Sequence, residues 1–376
     1  MLWFIMFGGL ILLCLAGMVY LIFCVRRLGF VTKLTHGSKA AAWAVGAATV
    51  ALPTAVIWLA WGYINALIVL LHIALFVLLA KLIFKKFRFA GTVALVLAVV
   101  YLAVGYVQAN NVWQKDYTVT TDKAVGTLRV ALIADSHVGT TFDGEGLAPH
   151  IEEINKQDPD IVVVTGDFVD EDTSRDDMVA ACRSLGKATP KFGTYFVFGN
   201  HDKGLYSNGE RGYTGDDLVA ELEKNGVTVL QDETVLIDGR FYLVGRQDAS
   251  VERDFGGSRA SIAELASALD RSKYSIVLDH QPRDYDAEAA AGVDLVLSGH
   301  THGGQMFPLM LFMRWFHIGD DNVYGLESSH LGDDNVYGFE NHDRTDFIVT
   351  SGISDWAIQF KTGCRSEYVI VDIQGN

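Results

Sequence analysis

The side chains able to do chemistry in this chain gather in five short motifs: Ala134-Asp135-Ser136-His137, Gly166-Asp167, Gly199-Asn200-His201-Asp202, Asp279-His280 and Gly299-His300-Thr301-His302-Gly303-Gly304-Gln305. Each follows a short β-branched run, and in open α/β sheets ligands bind beyond the carboxyl ends of strands. Asp135, Asp167, Asn200 and five His are thereby brought to one rim. Carboxylate, amide and imidazole suit Mn, Fe or Zn. Two such ions about 3.5–4 Å apart form a clamp for in-line displacement at phosphorus and lower the pKa of a bridging water from about 15.7 to near 7, giving hydroxide as nucleophile. One carboxylate must bridge the ions. Asp167, short and preceded by a glycine, is the natural bridge.

These motifs need strands to carry them. The pattern predicts strands at Leu128 to Ala134, Ile161 to Thr165, Thr194 to Phe198, Arg240 to Val244, Tyr274 to Leu278, Val293 to Leu297, Asp346 to Thr350 and Glu367 to Ile373. Between them, Leu147 to Lys156, Asp176 to Leu185, Asp216 to Asn225 and Ala260 to Leu269 have helical spacing and acidic first turns. Strands buried on both faces with intervening helices imply a layered α/β or α+β domain.

The ordered series Asp135-x-His137, Gly166-Asp167, Gly199-Asn200-His201-Asp202, His280 and Gly299-His300-x-His302 resembles the calcineurin-like metallophosphoesterase superfamily. The ending Gly303-Gly304-Gln305, with Ser351-Gly352-Ile353, looks like its bacterial membrane-associated branch. The match covers roughly Thr127 to Asp372. The resemblance implies a four-layer αββα sandwich, with a first metal on Asp135, His137, Asp167 and His302 and a second on Asp167, Asn200, His280 and His300. It places His201 against the scissile phosphate, stabilising its charge or protonating the leaving oxygen. Asp202 and Asp279 are expected either to orient imidazoles or to sit in solvated loops. The implied activity is dimetal-dependent hydrolysis of a phosphodiester, pyrophosphate or monoester. The reading from a different class is a non-catalytic membrane scaffold or sensor that binds a phosphorylated ligand through the metal site.

Charge divides the chain. Residues 1–110 hold eight basic residues and no carboxylate, leaving 22 basic against 45 acidic residues, a net charge of −23, in the remainder. A single soluble globule and a disordered chain are both excluded. Apolar runs of about the length a bilayer needs predict a four-helix transmembrane region over 1–110, with spans near 2–25, 40–60, 63–83 and 89–108. Residues 111–126 are expected as a linker and 127–376 as the catalytic domain. Arg26 and Arg27 follow the first apolar run rather than precede it, which argues against a cleaved signal peptide. The basic residues lie in or beside two short connections, so those connections face the cytoplasm and the catalytic domain is expected outside it. His72 is the ionisable side chain within the spans, and a hydrogen bond between helices is weighed above a proton path. Cys182 and Cys364 are read as buried hydrophobes rather than a bridge.

The acidic soluble part lacks the basic face long polyanions need, which weighs against nucleic acid. Lys203 and Arg211 are either phosphate contacts or solvated loop cations. Met306 to Phe316 is an apolar, aromatic run that either packs on the sheet or dips into a bilayer surface, the second reading making the substrate a phospholipid or a lipid-linked pyrophosphate. A duplication, His317 to Glu327 repeated at His330 to Glu340, departs from the family pattern. A solvated loop is weighed there against a hairpin, a cap or a weak Ca site.

Overall fold

The computed structural model describes residues 2–87, 89–207, 211–307 and 338–376. The expected bilayer-dipping run and the duplicated stretch therefore lie outside the described residues, apart from Met306, Phe307 and residues 338–340. The chain divides into two compact units, Met1–Tyr106 with Ala357–Gln359, and Val107–Trp356 with Phe360–Asn376.

The first unit is helical: α1 (Leu2–Val25), α2 (Gly29–Leu34), α3 (Lys39–Ile83) and the greater part of α4 (Ala90–Asn110). Among the described residues α3 and α4 are long and apolar enough to cross a membrane, and Ile11–Val25 is a shorter apolar stretch. Two helices, rather than the four expected spans, thus meet the requirement. At 45 residues α3 is about twice a bilayer crossing, and its helical dihedrals break at Gly62, with φ 83° and ψ 167°. Each of the few polar side chains bonds a carbonyl of the preceding turn, and Asn65 also pairs with the Ala357 carbonyl and the Gln359 N–H. Thr49 and Thr54 donate to the carbonyls of Val45 and Val50, and Asn65 donates to that of Trp61. His72 Nδ1 lies 2.7 Å from the Ile68 carbonyl, and its ring stacks on Tyr101. Such bonds to the preceding turn are the ordinary fate of polar groups in apolar helices.

The second unit is an α/β domain with two mixed sheets. Its strands are β1 (Val112–Thr120), β2 (Thr127–Ile133), β3 (Ile161–Thr165), β4 (Thr194–Val197), β5 (Val227–Val229), β6 (Glu233–Ile237), β7 (Phe241–Gly245), β8 (Tyr274–Leu278), β9 (Leu295–Ser298), β10 (Gly338–His342), β11 (Thr345–Val349) and β12 (Ser366–Gln374). One sheet runs β1-β12-β2-β3-β4-β5 and the other β10-β11-β9-β8-β7-β6. The expected linker at 111–126 is a correction, because its first half is the edge strand β1, parallel to β12 from Val112↔Ser366 to Thr120↔Gln374. Tyr117 and Val119 alternate there with the exposed Asp116, Thr118 and Thr120, a period-2 pattern suited to an edge. Strands β5, β6 and β10 are also additions to the sequence expectation, being short and at or near sheet edges.

Apolar side chains on the facing sides of the sheets form one core, in which Leu128, Val130 and Val163 meet Phe241, Ile276 and Leu297. The outer face of the first sheet is covered by α5 (Ala148–Asn155), α6 (Arg175–Leu185) and α7 (Gly215–Lys224) through Ile151, Leu185 and Leu222. A single turn, α8 (Ser250–Arg253), precedes α9 (Ile262–Ala266) and α10 (Tyr285–Ala291), which lie over the other sheet with Val244, Val277 and Phe347. Caps fix the helix starts: Thr214 and Asp217 form a reciprocal capping box on α7, and Ser261 and Glu264 form another on α9. Cys182 and Cys364 are buried and unbridged.

Because Leu297 is fully buried between the sheets, Leu297→Ala is expected to destabilise the domain by about 2–5 kcal/mol. Urea unfolding followed by circular dichroism would report this as a lower midpoint.

Candidate metal centre

The eight side chains singled out from sequence converge. Asp135 and His137 follow β2, Asp167 follows β3, Asn200 and His201 follow β4, His280 follows β8, and His300 and His302 follow β9. Asp135, His137 and His302 offer ligand atoms within 4.8 Å of one another, and Asp167, His280 and His300 form a second such group. Asp167 touches both. Its Oδ2 lies 3.1 Å from His280 Nε2 and 3.6 Å from His137 Nε2. Asn200 Oδ1 is 3.2 Å from His280 Nε2, and His302 Nε2 is 3.8 Å from Asp135 Oδ1. The His201 ring stands beside His137, centroids 5.2 Å apart, and its backbone N–H donates to Asp167 Oδ1.

This convergence depends on close backbone approach. Gly166 has φ 84°, and a Cβ there would lie 2.3 Å from the backbone nitrogen of Gly199; a Cβ on Gly199 would lie 2.2 Å from Asp167 Oδ1. The loops are also strained. Asp135, His137, Asp167, His300 and His302 all have φ between 36° and 72°. Non-glycine residues in that region cost about 1–3 kcal/mol each and cluster at functional sites. The Asp202 carboxylate helps to hold them there. Its Oδ1 accepts from the backbone N–H groups of Phe168 and Val169, and its Oδ2 accepts from those of Asp167 and Gly199. Asp202 thus orients backbone rather than an imidazole. Asp279 likewise pairs with Arg246 and Arg259.

The field at the site draws positive charge. Burial would raise the Asp167 carboxyl, but His280, His201 and His137 hold it well below the usual carboxylate range. Burial raises Asp135. Burial opposes a charge on His201, yet Asp167 and Glu171 lift the ring to about 9. Burial, with His137 and Lys361 nearby, keeps His302 well below the ordinary imidazole value, leaving it neutral and able to ligate. His137 Nε2 is buried without a hydrogen-bond partner and faces Asp167 Oδ2. A divalent cation fits that orphaned nitrogen and this N/O donor set.

Several further residues were missed from sequence. Asp170 lies 3.2 Å from His137 Nδ1, both oxygens of Glu171 lie 2.9 Å from His201 Nδ1, and the Thr165 carbonyl lies 2.7 Å from His280 Nδ1. Asp170 and Glu171 sit three and four residues past Asp167, a signal open to a reader who asks which acceptors each imidazole needs. Arg211 spends its guanidinium on the carbonyls of His201, Asp202 and Tyr213, and Lys203 bonds Gln247. Both cations are committed to protein partners.

Comparison with known proteins gives a concordant picture. A profile of the calcineurin-like phosphoesterase family matches residues 128–304. An uncharacterized metallophosphoesterase of Aquifex aeolicus is 33% identical over 194 residues, 51% of this chain and 70% of that protein. One from Campylobacter jejuni is 29% identical over 251 residues, 66% of this chain and 59% of the relative. A transmembrane protein with metallophosphoesterase domain from Danio rerio is 28% identical over 200 residues, 50% of this chain and 43% of its own length. The match spans about three fifths of the Campylobacter and Helicobacter relatives.

Asp202→Asn retains the shape of the side chain but turns an NH₂ group toward two of the four backbone donors. Leaving buried donors unpaired is expected to cost about 2 kcal/mol or more, read as a lower thermal midpoint, whereas an unchanged midpoint would remove Asp202 from the scaffold of the site.

Proposed function

Because the chain belongs to the calcineurin-like phosphoesterase family, we propose that it hydrolyses a phosphoric ester at a membrane surface, using two divalent cations and His201. The observation that carries this reading is the single Asp167 carboxylate standing between two groups of ligand atoms. Asp135, His137, Asp167 and His302 would hold one cation, and Asp167, Asn200, His280 and His300 the other. Cations bound there supply Lewis acidity toward phosphoryl oxygens and lower the pKa of water at the site.

The chain's own residues do the rest. Glu171 fixes the His201 ring by accepting from Nδ1, which leaves Nε2 to meet the ester. A ring held protonated beside Asp167 can stabilise phosphoryl charge and return a proton to the leaving oxygen. Asp170 and the Thr165 carbonyl fix the Nδ1 protons of His137 and His280, directing their Nε2 lone pairs inward.

Two observations favour a lipid-linked ester. Tyr206 and Trp356, 39% and 40% exposed, each place a ring 5.5 Å from that of His201, and Phe255 extends the rim 5.1 Å from Tyr206. Partly exposed aromatic rings beside the reacting group suit an ester with an apolar body. The same chain carries helices long and apolar enough to span a bilayer. The break at Gly62 supports counting α3 as two spans, which with α1 and α4 makes four and leaves the catalytic domain outside the cytoplasm.

With Mn²⁺ the full-length protein is expected to cleave a soluble aryl phosphodiester, and chelation should abolish the activity until Mn²⁺ is restored. Asp167→Asn should lose more than the roughly 10–100-fold that loss of an outer partner costs; equal inactivity of both proteins across several metals would favour the binding-scaffold reading. A Tyr206→Ser/Trp356→Ser double variant is expected to lose more turnover on a vesicle-borne lipid phosphodiester than on the aryl ester. Equal losses would defeat the lipid assignment. A phosphatase reporter fused after Asn111 should be active only outside the cytoplasm, and cytoplasmic activity would overturn the orientation.

A further inference from the structure

His137, His201 and His280 each have an acceptor at Nδ1, whereas His302 Nδ1 has none. The carboxylate nearest to that nitrogen belongs to Asp355, whose Oδ1 lies 3.4 Å away. This is beyond hydrogen-bond length, and His302 Nδ1 and Asp355 Oδ2 are both buried without a partner. Unpartnered buried polar atoms are rare and call for a reason.

Asp355 is itself held firmly. It is fully buried, and its Oδ1 accepts from Gln305 Nε2 and from the Trp356 backbone N–H. Gln305 is fixed in turn, its carbonyl accepting from the N–H groups of Thr362 and Gly363. The loop carrying Asp355 is pinned from inside by Lys361, a fully buried lysine whose ammonium donates to the carbonyls of Ser351 at 2.6 Å and Ser354 at 2.9 Å. The same loop braces Asp135, because Ile353 N–H donates to the Ala134 carbonyl and Ser354 N–H to that of Asp135. Cys364 closes the ring of contacts with its thiol on the His302 carbonyl.

We propose that Asp355 is the positioning carboxylate for His302, and that Lys361 and Gln305 hold it in place, so that Asp355 completes the ligand group of Asp135, His137 and His302. The proposal rests on the metal reading above. Residues 351–364 all lie beyond the stretch matched by the family profile, which ends at 304. Asp355 acts on the ring and not on the ester: drawn in from 3.4 Å to hydrogen-bond distance, it would accept the Nδ1 proton, fix the tautomer that leaves Nε2 as a lone pair and limit rotation of the imidazole. The Lys361 ammonium draws the carboxylate toward its charged form, against the burial that opposes it, while its own hydrogen bonds go to the Ser351 and Ser354 carbonyls.

The test uses Mn²⁺ alone, titrated into the full-length chain in detergent and followed by calorimetry and electron paramagnetic resonance, with thermal unfolding of the metal-free protein measured in parallel. Wild type is expected to bind two ions. Asp355→Ala should weaken one of them by about 10–100-fold, the range for loss of an outer-sphere partner, and leave the other near wild type, with a lower metal-free midpoint because Gln305 Nε2 and the Trp356 N–H lose their acceptor. Asp355→Asn, which keeps an acceptor oxygen, should recover most of that affinity, and Lys361→Met should fall between. Unchanged Mn²⁺ affinities in Asp355→Ala would overturn the proposal. So would equal weakening of both ions, which marks a merely structural role. If Asp355→Ala does not fold, the comparison of Asp355→Asn and Lys361→Met with wild type decides by the same criteria. A wild type that binds no Mn²⁺ would instead defeat the metal reading itself.

Discussion

The molecule is built around one constraint: a fully buried aspartate must present its two carboxylate oxygens in different directions. Asp167 Oδ1 accepts the His201 backbone N–H, while Oδ2 stands between His280 Nε2 and His137 Nε2. Such a carboxylate is costly to bury unless positive charge or strong donors surround it. The surrounding imidazoles hold it ionised, and that compensates its burial.

Meeting that constraint dictates the loops. The β3 and β4 loops approach so closely that neither Gly166 nor Gly199 has room for a side chain. Five of the ligand-bearing residues adopt left-handed backbone, and this strain persists because Asp202 and the β-sheet core over-determine the loops. The two sheets provide rigidity at the base beneath these strained turns. Stability and chemistry are therefore coupled: what weakens the packing between sheets also loosens the place where the ligand groups meet.

The central strands were legible because burial on both faces leaves continuous β-branched runs such as Ile161–Thr165, and the motifs at their ends stand out as polar residues directly after apolar ones. The edges were not. β1 alternates apolar with polar residues and lies just after a helix, so it resembled a connection; its pairing with β12 is set by residues some 250 positions away. The residues that converge at the site were visible as residue types at strand ends, but their supports were not. Asp170, Glu171 and Asp355 are ordinary loop carboxylates in sequence, and only the folded geometry distinguishes them from solvated ones such as Asp343. Apolar length predicted helices in the first unit, yet composition could not distinguish one interrupted helix from two.

The most direct measurement is anomalous X-ray diffraction from Mn²⁺-loaded crystals, collected at the manganese edge. The account predicts two peaks on either side of Asp167, one bounded by Asp135, His137 and His302 and the other by Asn200, His280 and His300. A single peak remote from Asp167, or none with the metal present at saturating concentration, would contradict it.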